Sequence, residues 1–333
     1  MGKLKQGTWV KENLIPKDKD GEFNRTDSTF RDTIVEGGKY PPETGRYHLY
    51  ISLACPWASR VYIFLKLKKL ESLITMSILS PVMLEDGWTF KEDFPGVIPD
   101  TALNKKFLYE IYQQSDPNFT GKVTVPLLFD KKTNTIVNNE SSEIIRIFNS
   151  AFNSITGDTN DYYPEALRSE IDQINSYIYD SINNGVYKTG FALTQSAYDK
   201  NVSALFEALD TIEDRLSEQE TLTGSVLTEA DVRLFTTLIR FDPVYYVHFK
   251  CNVKMIREYK NLSRYLSMLY ELKAFQETTD FDHIKKHYYY SQIQINPHQI
   301  VPKGPSLLVP ESTEAKPDIA PPKLSDVTES ALA

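Results

Sequence analysis

Ala54-Cys55-Pro56-Trp57-Ala58 is the stretch of this chain whose residue types and spacing suit covalent chemistry. Proline fits the first position of a helix, where its missing N–H costs nothing, so Pro56 opens a helix and Cys55 stands at its N-terminus. The unpaired N–H groups of the first turn and the positive end of the helix dipole stabilise a thiolate there, making Cys55 a nucleophile near neutral pH. The dithiol form of this turn, Cys-x-x-Cys, carries a second thiol that resolves a mixed disulfide; here the fourth position is Ala58. A mixed disulfide at Cys55 must then be released by an outside thiol, and the abundant cytosolic one is glutathione. The competing reading is a buried structural cysteine.

A second feature belongs with the first. Residues 123–130, Val-Thr-Val-Pro-Leu-Leu-Phe-Asp, read as a strand with Pro126 inside it, although proline cannot donate to a ladder. A cis bond before Pro126 would expose the Val125 backbone to pair with a peptide ligand. Other constellations are weaker. His283 and His287 have the spacing of two helical zinc ligands, but the residues between them include two lysines and no glutamate, so no metal site is expected. His248 and Cys251 have nothing nearby to complete a tetrahedral set, and Cys251 reads as an ordinary residue. The absence of a Gly-rich phosphate loop argues against nicotinamide and nucleotide cofactors.

The elements that must position these residues can be read from apolar patterning. Residues 1–45 are polar and punctuated by Gly and Pro, an arm that packs on something else. Residues 47–53 have strand composition, and 57–70 carry Val61, Phe64, Leu65 and Leu67 at helical spacing. A strand at 74–79, a helix near 104–114, the strand at 123–130, a strand at 135–137 and a helix at 141–152 complete a β-α-β-α-β-β-α order. Beyond a linker at 153–163 the texture is helical. Leu205, Leu209, Ile212 and Leu216 mark one face of a long helix, and Thr228 with Asp231 forms a capping-box start before a strongly apolar one. Further helices are expected at 165–183, 261–270 and 281–290. The fold class is thus α/β plus all-α: residues 46–152 form one domain and 164–291 a helical one. From 292 to 333 lies a tail that reads as extended, since seven of the chain's 18 prolines fall at or after Pro297.

With 37 Lys+Arg against 45 Asp+Glu, the net charge of −8 argues against nucleic acid as a partner. Two cysteines are too few for a disulfide scaffold. No apolar run approaches the ~20 residues of a membrane span, so a cytoplasmic protein without a membrane partner is expected.

Together these stretches carry a resemblance. The Cys-Pro-Trp-Ala turn, Val125-Pro126, Asn139-Glu140-Ser141 and the Thr228-x-x-Asp231 box resemble a cytosolic glutathione transferase, with a thioredoxin-like N-terminal domain and an all-helical C-terminal one. More narrowly, the chain resembles the omega-like Xi class, the glutathionyl-hydroquinone reductases. Phe23-Asn24-Arg25, Ser28-Thr29-Phe30-Arg31, Glu85 to Phe90, Asn183 to Lys188, Arg240 to Tyr245 and His283 to Tyr288 match in family order. The tail past about Pro302 lies outside the match.

The resemblance implies roles residue by residue. Cys55 would be the nucleophile. The γ-glutamyl carboxylate of glutathione would sit on the helix N-terminus at Glu140 and Ser141; its cysteinyl amide would pair with Val125, beside Pro126; and Trp88 would flank the tripeptide. Lys122, where the family often has arginine, would offset the glycyl carboxylate, though not bidentately. Tyr187 and Tyr288 match positions at which phenols lie near the hydroquinone ring. No permanently bound cofactor is implied, only glutathione as co-substrate, and a homodimer is expected. The partners are then glutathione and glutathionyl-hydroquinones. An omega-type thiol transferase or dehydroascorbate reductase would use the same Cys55, and a non-catalytic interaction module on the same fold is the third reading.

Overall fold

The computed structural model describes residues 2–12, 20–305 and 319, so most of the tail expected at 292–333 lies outside the described residues. The chain divides into two compact units, the first comprising Met1–Leu14, Thr26–Asp158 and Thr278–Val301, and the second Ile15–Arg25, Thr159–Glu277 and Pro302–Ala333.

In the first unit a hairpin of β1 (Lys3–Lys5) and β2 (Thr8–Val10) precedes β3 (Tyr47–Ile51), α1 (Pro56–Leu67), β4 (Thr75–Ile78), α2 (Leu108–Ser115), β5 (Gly121–Lys122), β6 (Leu127–Asp130), β7 (Thr135–Asn138), α3 (Ser141–Ser150) and the single turn α4 (Asn153–Thr156). The main sheet has the order β4-β3-β6-β7, with β3 parallel to β4 and antiparallel to β6, and β6 antiparallel to β7. All five residues of β3 are buried, as a central strand requires. The expected β-α-β-α-β-β-α order is present. One strand is shorter than its composition suggests: the ladder begins at Leu127, because Pro126 has no N–H to give; the bond between Val125 and Pro126 is cis.

The N-terminal arm has a regular part. The hairpin β1-β2 pairs antiparallel with β5, Lys3 opposite Lys122 and Leu4 opposite Gly121, making a second small sheet. Trp9 stacks on Tyr109 at 4.7 Å, and Gly7 donates to the Phe119 carbonyl at 3.0 Å. Farther along, residues 30–32 run beside the edge strand β7, where Asp32 N–H donates to the Val137 carbonyl and Asn139 N–H to that of Phe30. That covers an otherwise open sheet edge.

In the second unit α5 (Arg168–Ile178), α6 (Gly185–Gly190), α7 (Gln195–Glu218), α8 (Glu229–Arg240), the turn α9 (Tyr246–His248), α10 (Lys260–Glu271) and the turn α11 (Lys273–Gln276) follow in order. Leu205, Leu209, Ile212 and Leu216 of α7 are all buried, as their spacing predicts. The Thr228 and Asp231 capping box opens α8. Wide π-helical turns occupy Tyr179–Asn183 and Phe241–Tyr245.

A last helix, α12 (Phe281–Lys285), runs into a third π-helical turn at Lys286–Tyr290. Residues 278–291 were assigned to the helical domain from sequence, whereas Thr278–Val301 groups with the first unit. Among the described residues no helix is long and apolar enough to cross a membrane.

Candidate active site

Cys55 is the residue before the first turn of α1, with extended backbone angles of φ −79° and ψ 122°. Pro56 follows as the first helical residue, and Ala58, Val61, Ile63, Phe64 and Leu65 bury the inner face. Cys55 N–H donates to the Ser52 carbonyl at 3.1 Å, and its own carbonyl accepts from Ser59 N–H at 2.9 Å. The side chain does not cap the helix and is half-buried. Its Sγ lies 3.6 Å from the carbonyl oxygen of Val125. Cys251 contrasts with it in burial: it is fully buried in the second unit, and burial pushes its thiol up. A buried neutral thiol is inert.

Val125 precedes the cis proline, and among the described residues its N–H meets no acceptor. The segment is held from behind. The buried Tyr112 hydroxyl donates to the Thr124 carbonyl at 3.0 Å and accepts from Thr124 N–H at 3.2 Å and from Asn139 Nδ2 at 3.1 Å. A backbone segment with an open N–H can pair with the backbone of a peptide ligand.

At the start of α3 the two residues expected to take an anion behave differently. Glu140 caps the helix itself: its Oε1 accepts from Ser142 N–H at 3.0 Å and from the Ser142 hydroxyl at 2.9 Å, and its Oε2 from the Ser28 hydroxyl at 3.0 Å. Burial alone would raise the Glu140 carboxyl, but these hydrogen bonds and the Arg60 charge outweigh it and hold it below its ordinary value. Its N–H is taken by Asn138 Oδ1 at 2.7 Å. Ser141 makes no such contacts: among the described residues neither its N–H nor its hydroxyl has a partner. The open anion donors at this helix end are therefore those of Ser141.

Trp88 is buried, and its indole stacks on the His287 imidazole at 4.8 Å and 15°. His287 Nδ1 is 3.0 Å from the Pro81 carbonyl, which can only accept, so the proton sits on Nδ1. The Tyr288 ring, also buried, meets His287 edge-on at 5.3 Å. Trp88 and Tyr288 are thus joined through His287, to which the sequence assigns no role in the site. Its supposed partner, His283, points its Nε2 at the Pro95 carbonyl, 2.6 Å away. Among the described residues there is no group of three His, Cys, Asp or Glu that could hold a metal. Lys122 is half-buried in β5, three residues before Val125.

Tyr187 belongs to the second unit, on α6. Its ring is enclosed by Phe23, Phe191, Tyr245 and Phe249, at centroid distances of 5.5 to 6.1 Å. The Arg25 guanidinium lies over it at 5.0 Å. Sequence reasoning does not identify Tyr112, Ser28, His287 and Arg25 as supports; their contacts join residues far apart in the chain and leave no periodic signal.

Comparison with known proteins decides the lineage. Residues 54–151 match the glutathione S-transferase N-terminal domain and residues 195–267 the glutathione S-transferase C-terminal domain. This chain belongs to the glutathione S-transferase family. The transferase is 49% identical over 313 residues to the glutathionyl-hydroquinone reductase YqjG of Escherichia coli, with 92% of this chain and 95% of that protein covered. The glutathione-bound structure of YqjG superposes with a TM-score of 0.85, at 46% identity, covering 92% of this chain and 96% of that one. A glutathione transferase Xi from Phanerochaete chrysosporium superposes with a TM-score of 0.86 at 49% identity, covering 88% and 96%. An omega-like glutathione S-transferase of Schizosaccharomyces pombe is 51% identical over 296 residues, 86% of this chain and 94% of that one. The thioredoxin-like and helical domains expected from sequence are those of this family.

Proposed function

We propose that this transferase removes glutathione from glutathionyl-hydroquinones. The observation that carries the reading is a half-buried cysteine at a helix N-terminus beside Val125, whose N–H meets no acceptor among the described residues, in a chain half identical to a glutathionyl-hydroquinone reductase. Conjugating transferases activate the thiol of glutathione with a hydroxyl. A cysteine can instead form a disulfide with glutathione, and so suits its removal.

The steps balance as follows. The hydroquinone first tautomerises: an O–H proton moves to the ring carbon bearing sulfur, giving a keto form. The Cys55 thiolate attacks the glutathionyl sulfur, an S–S bond forms, and the S–C bond breaks with its electron pair passing into the ring as phenolate. A proton to that oxygen completes the hydroquinone. A second glutathione, as thiolate, attacks the mixed disulfide, releasing glutathione disulfide and the Cys55 thiolate. Across these steps the ring carbon passes from C–S to C–H, and the thioether sulfur of one glutathione and the thiol of the other become the disulfide.

The site residues take these roles. Val125, beside Pro126, pairs with the cysteinyl amide of glutathione. Ser141 binds the γ-glutamyl carboxylate with its N–H and hydroxyl, while the ionised Glu140 favours the ammonium of the same group. Trp88 flanks the tripeptide, and Lys122 offsets the glycyl carboxylate. The phenols of Tyr187 and Tyr288 carry protons to and from the ring oxygen. The protein acts in the cytoplasm as a homodimer, for which size-exclusion chromatography with light scattering is the check.

The deciding experiment follows hydroquinone release from glutathionyl-menadiol with excess glutathione, with wild type beside Cys55→Ser and Tyr187→Phe. Turnover that disappears in Cys55→Ser and drops sharply in Tyr187→Phe supports the reading. Wild type that is inert on the thioether yet reduces a glutathione mixed disulfide through Cys55 replaces it with an omega-type thiol transferase.

A further inference from the structure

The Phe23-Asn24-Arg25 stretch is part of the family pattern, yet none of the roles above uses it. Within the second unit Arg25 reaches α6. Its guanidinium sits over the Tyr187 ring at 5.0 Å and over Phe23 at 5.4 Å, and its Nε donates to Asn184 Oδ1 at 2.8 Å. Asn184 in turn accepts from Tyr187 N–H through its backbone carbonyl at 3.0 Å. One residue, Asn184, thus fixes both the cation and the helix turn that carries the phenol. Tyr187 is 8% exposed, and Phe23, Phe191 and Phe249 line other sides of its ring.

This arrangement has a chemical consequence. When a phenol gives up its proton, negative charge develops on oxygen and spreads into the ring. A cation fixed against the ring face stabilises that charge, and more strongly among apolar neighbours than in water. The planar guanidinium can stack and hydrogen-bond to Asn184 at once, which a lysine ammonium cannot.

We propose that Arg25 is the positioning residue of the Tyr187 phenol: it holds the ring for proton transfer to the hydroquinone oxygen and supplies the charge that makes the transfer easier. The inference rests on the deglutathionylation reading above, and Arg25 acts through Tyr187 rather than on glutathione.

The test compares two substrates. Cleavage of a glutathionyl-hydroquinone needs a proton on the ring, whereas cleavage of a glutathione mixed disulfide expels a thiolate and does not. Arg25→Gln is expected to lower kcat for glutathionyl-menadiol by about tenfold, the scale of one charge-assisted contact, with KM little changed. Turnover of the mixed disulfide of glutathione and mercaptoethanol is expected to stay within about twofold of wild type, which also shows that the variant is folded. Arg25→Lys should recover part of the loss. In a Tyr187→Phe background Arg25→Gln should cost nothing further, because the group it acts through is gone. Equal losses on both substrates, or a loss that adds fully to that of Tyr187→Phe, would mean a purely structural arginine and overturn the inference. Wild type that fails on the thioether but reduces the disulfide sinks the deglutathionylation reading, and this inference with it.

Discussion

Cys55 Sγ lies 3.6 Å from the carbonyl oxygen of Val125, a residue whose N–H meets no acceptor among the described residues. The Cys55 thiol and the Val125 backbone are therefore neighbours, although 70 residues separate them in sequence. A glutathionyl group paired with Val125 is held by its cysteinyl backbone, which brings its sulfur toward Cys55. Such orientation converts an encounter of two thiol compounds into an effectively intramolecular step.

This relationship predicts the outcome at Cys55. Incubation with glutathione disulfide should add one glutathione to wild type, seen as a mass shift that dithiothreitol reverses, and none to Cys55→Ser. Deglutathionylation by Cys55→Ser should fall by roughly three orders of magnitude or more, as for loss of other covalent nucleophiles. A glutathione adduct on the buried Cys251 instead would move the chemistry elsewhere.

Ser141 gives a binding prediction. Among the described residues its hydroxyl and N–H have no partner, so Ser141→Ala removes a hydrogen bond to an anion worth about 1.5–3 kcal/mol. Affinity for glutathione, measured by titration calorimetry, should drop by roughly tenfold to a hundredfold, with the melting temperature of the free protein little changed. Unchanged affinity would remove Ser141 from the glutathione site.

Glu140 yields a pH prediction. Its carboxyl is held below its ordinary value of 4.5, so the folded state favours the ionised form. That stability is present above the unfolded value and is lost as pH falls through it toward the folded one. The difference in melting temperature between wild type and Glu140→Gln should be largest near neutral pH and shrink below about 4.5, the value for an unperturbed glutamate. A constant difference across that range would show that the charge of Glu140 is not what stabilises α3.

Much of this architecture is legible in the sequence because it is written locally. The strand β3, the face of α7 and the Thr228 box each depend on residues a few positions apart, where apolar period and capping chemistry act. The Cys-Pro-Trp-Ala turn is legible for the same reason. What escapes is contact at long range. Nothing in Lys3 to Val10 indicates that the hairpin pairs with β5 more than a hundred residues on. The composition of residues 123–130 suggests a continuous strand, yet the ladder starts only after Pro126. The lysines beside His287 argue against a metal there, but nothing local to it indicates the Pro81 carbonyl and the Trp88 indole that lie against it.

The second unit offers a packing test at Gly190. A methyl group there would overlap the ring of Phe249, which also stacks on Tyr245 at 5.4 Å and packs against Tyr187 at 5.5 Å. Overpacking a filled core costs about 1–3 kcal/mol and pushes side chains off their rotamers. Gly190→Ala should therefore lower the melting temperature and also slow thioether turnover, since the displaced ring bears on Tyr187. Wild-type stability in this variant would mean the aromatic cluster has room to give.

Asp231 provides the strongest stability prediction. It is fully buried, and its oxygens accept from Leu222 N–H at 2.9 Å, Thr228 N–H at 2.9 Å and the Tyr265 hydroxyl at 2.8 Å. Removing the carboxyl leaves three buried donors without an acceptor, and each orphaned group costs about 1–3 kcal/mol. Asp231→Ala should lose several kcal/mol in urea unfolding and express poorly, because α8 loses its cap together with its tie to α10. Asp231→Asn keeps one oxygen, at the price of an amide that must face donors, and should fall between. Burial raises the Asp231 carboxyl above its ordinary value, so the hydrogen bonds oppose a desolvation cost without cancelling it. The net contribution of the carboxyl is then the satisfaction of its donors, and a milder loss in Asp231→Asn than in Asp231→Ala is the signature of that origin. If the two variants are equally destabilised, the negative charge itself, and not the acceptor geometry, is what holds α8 in place.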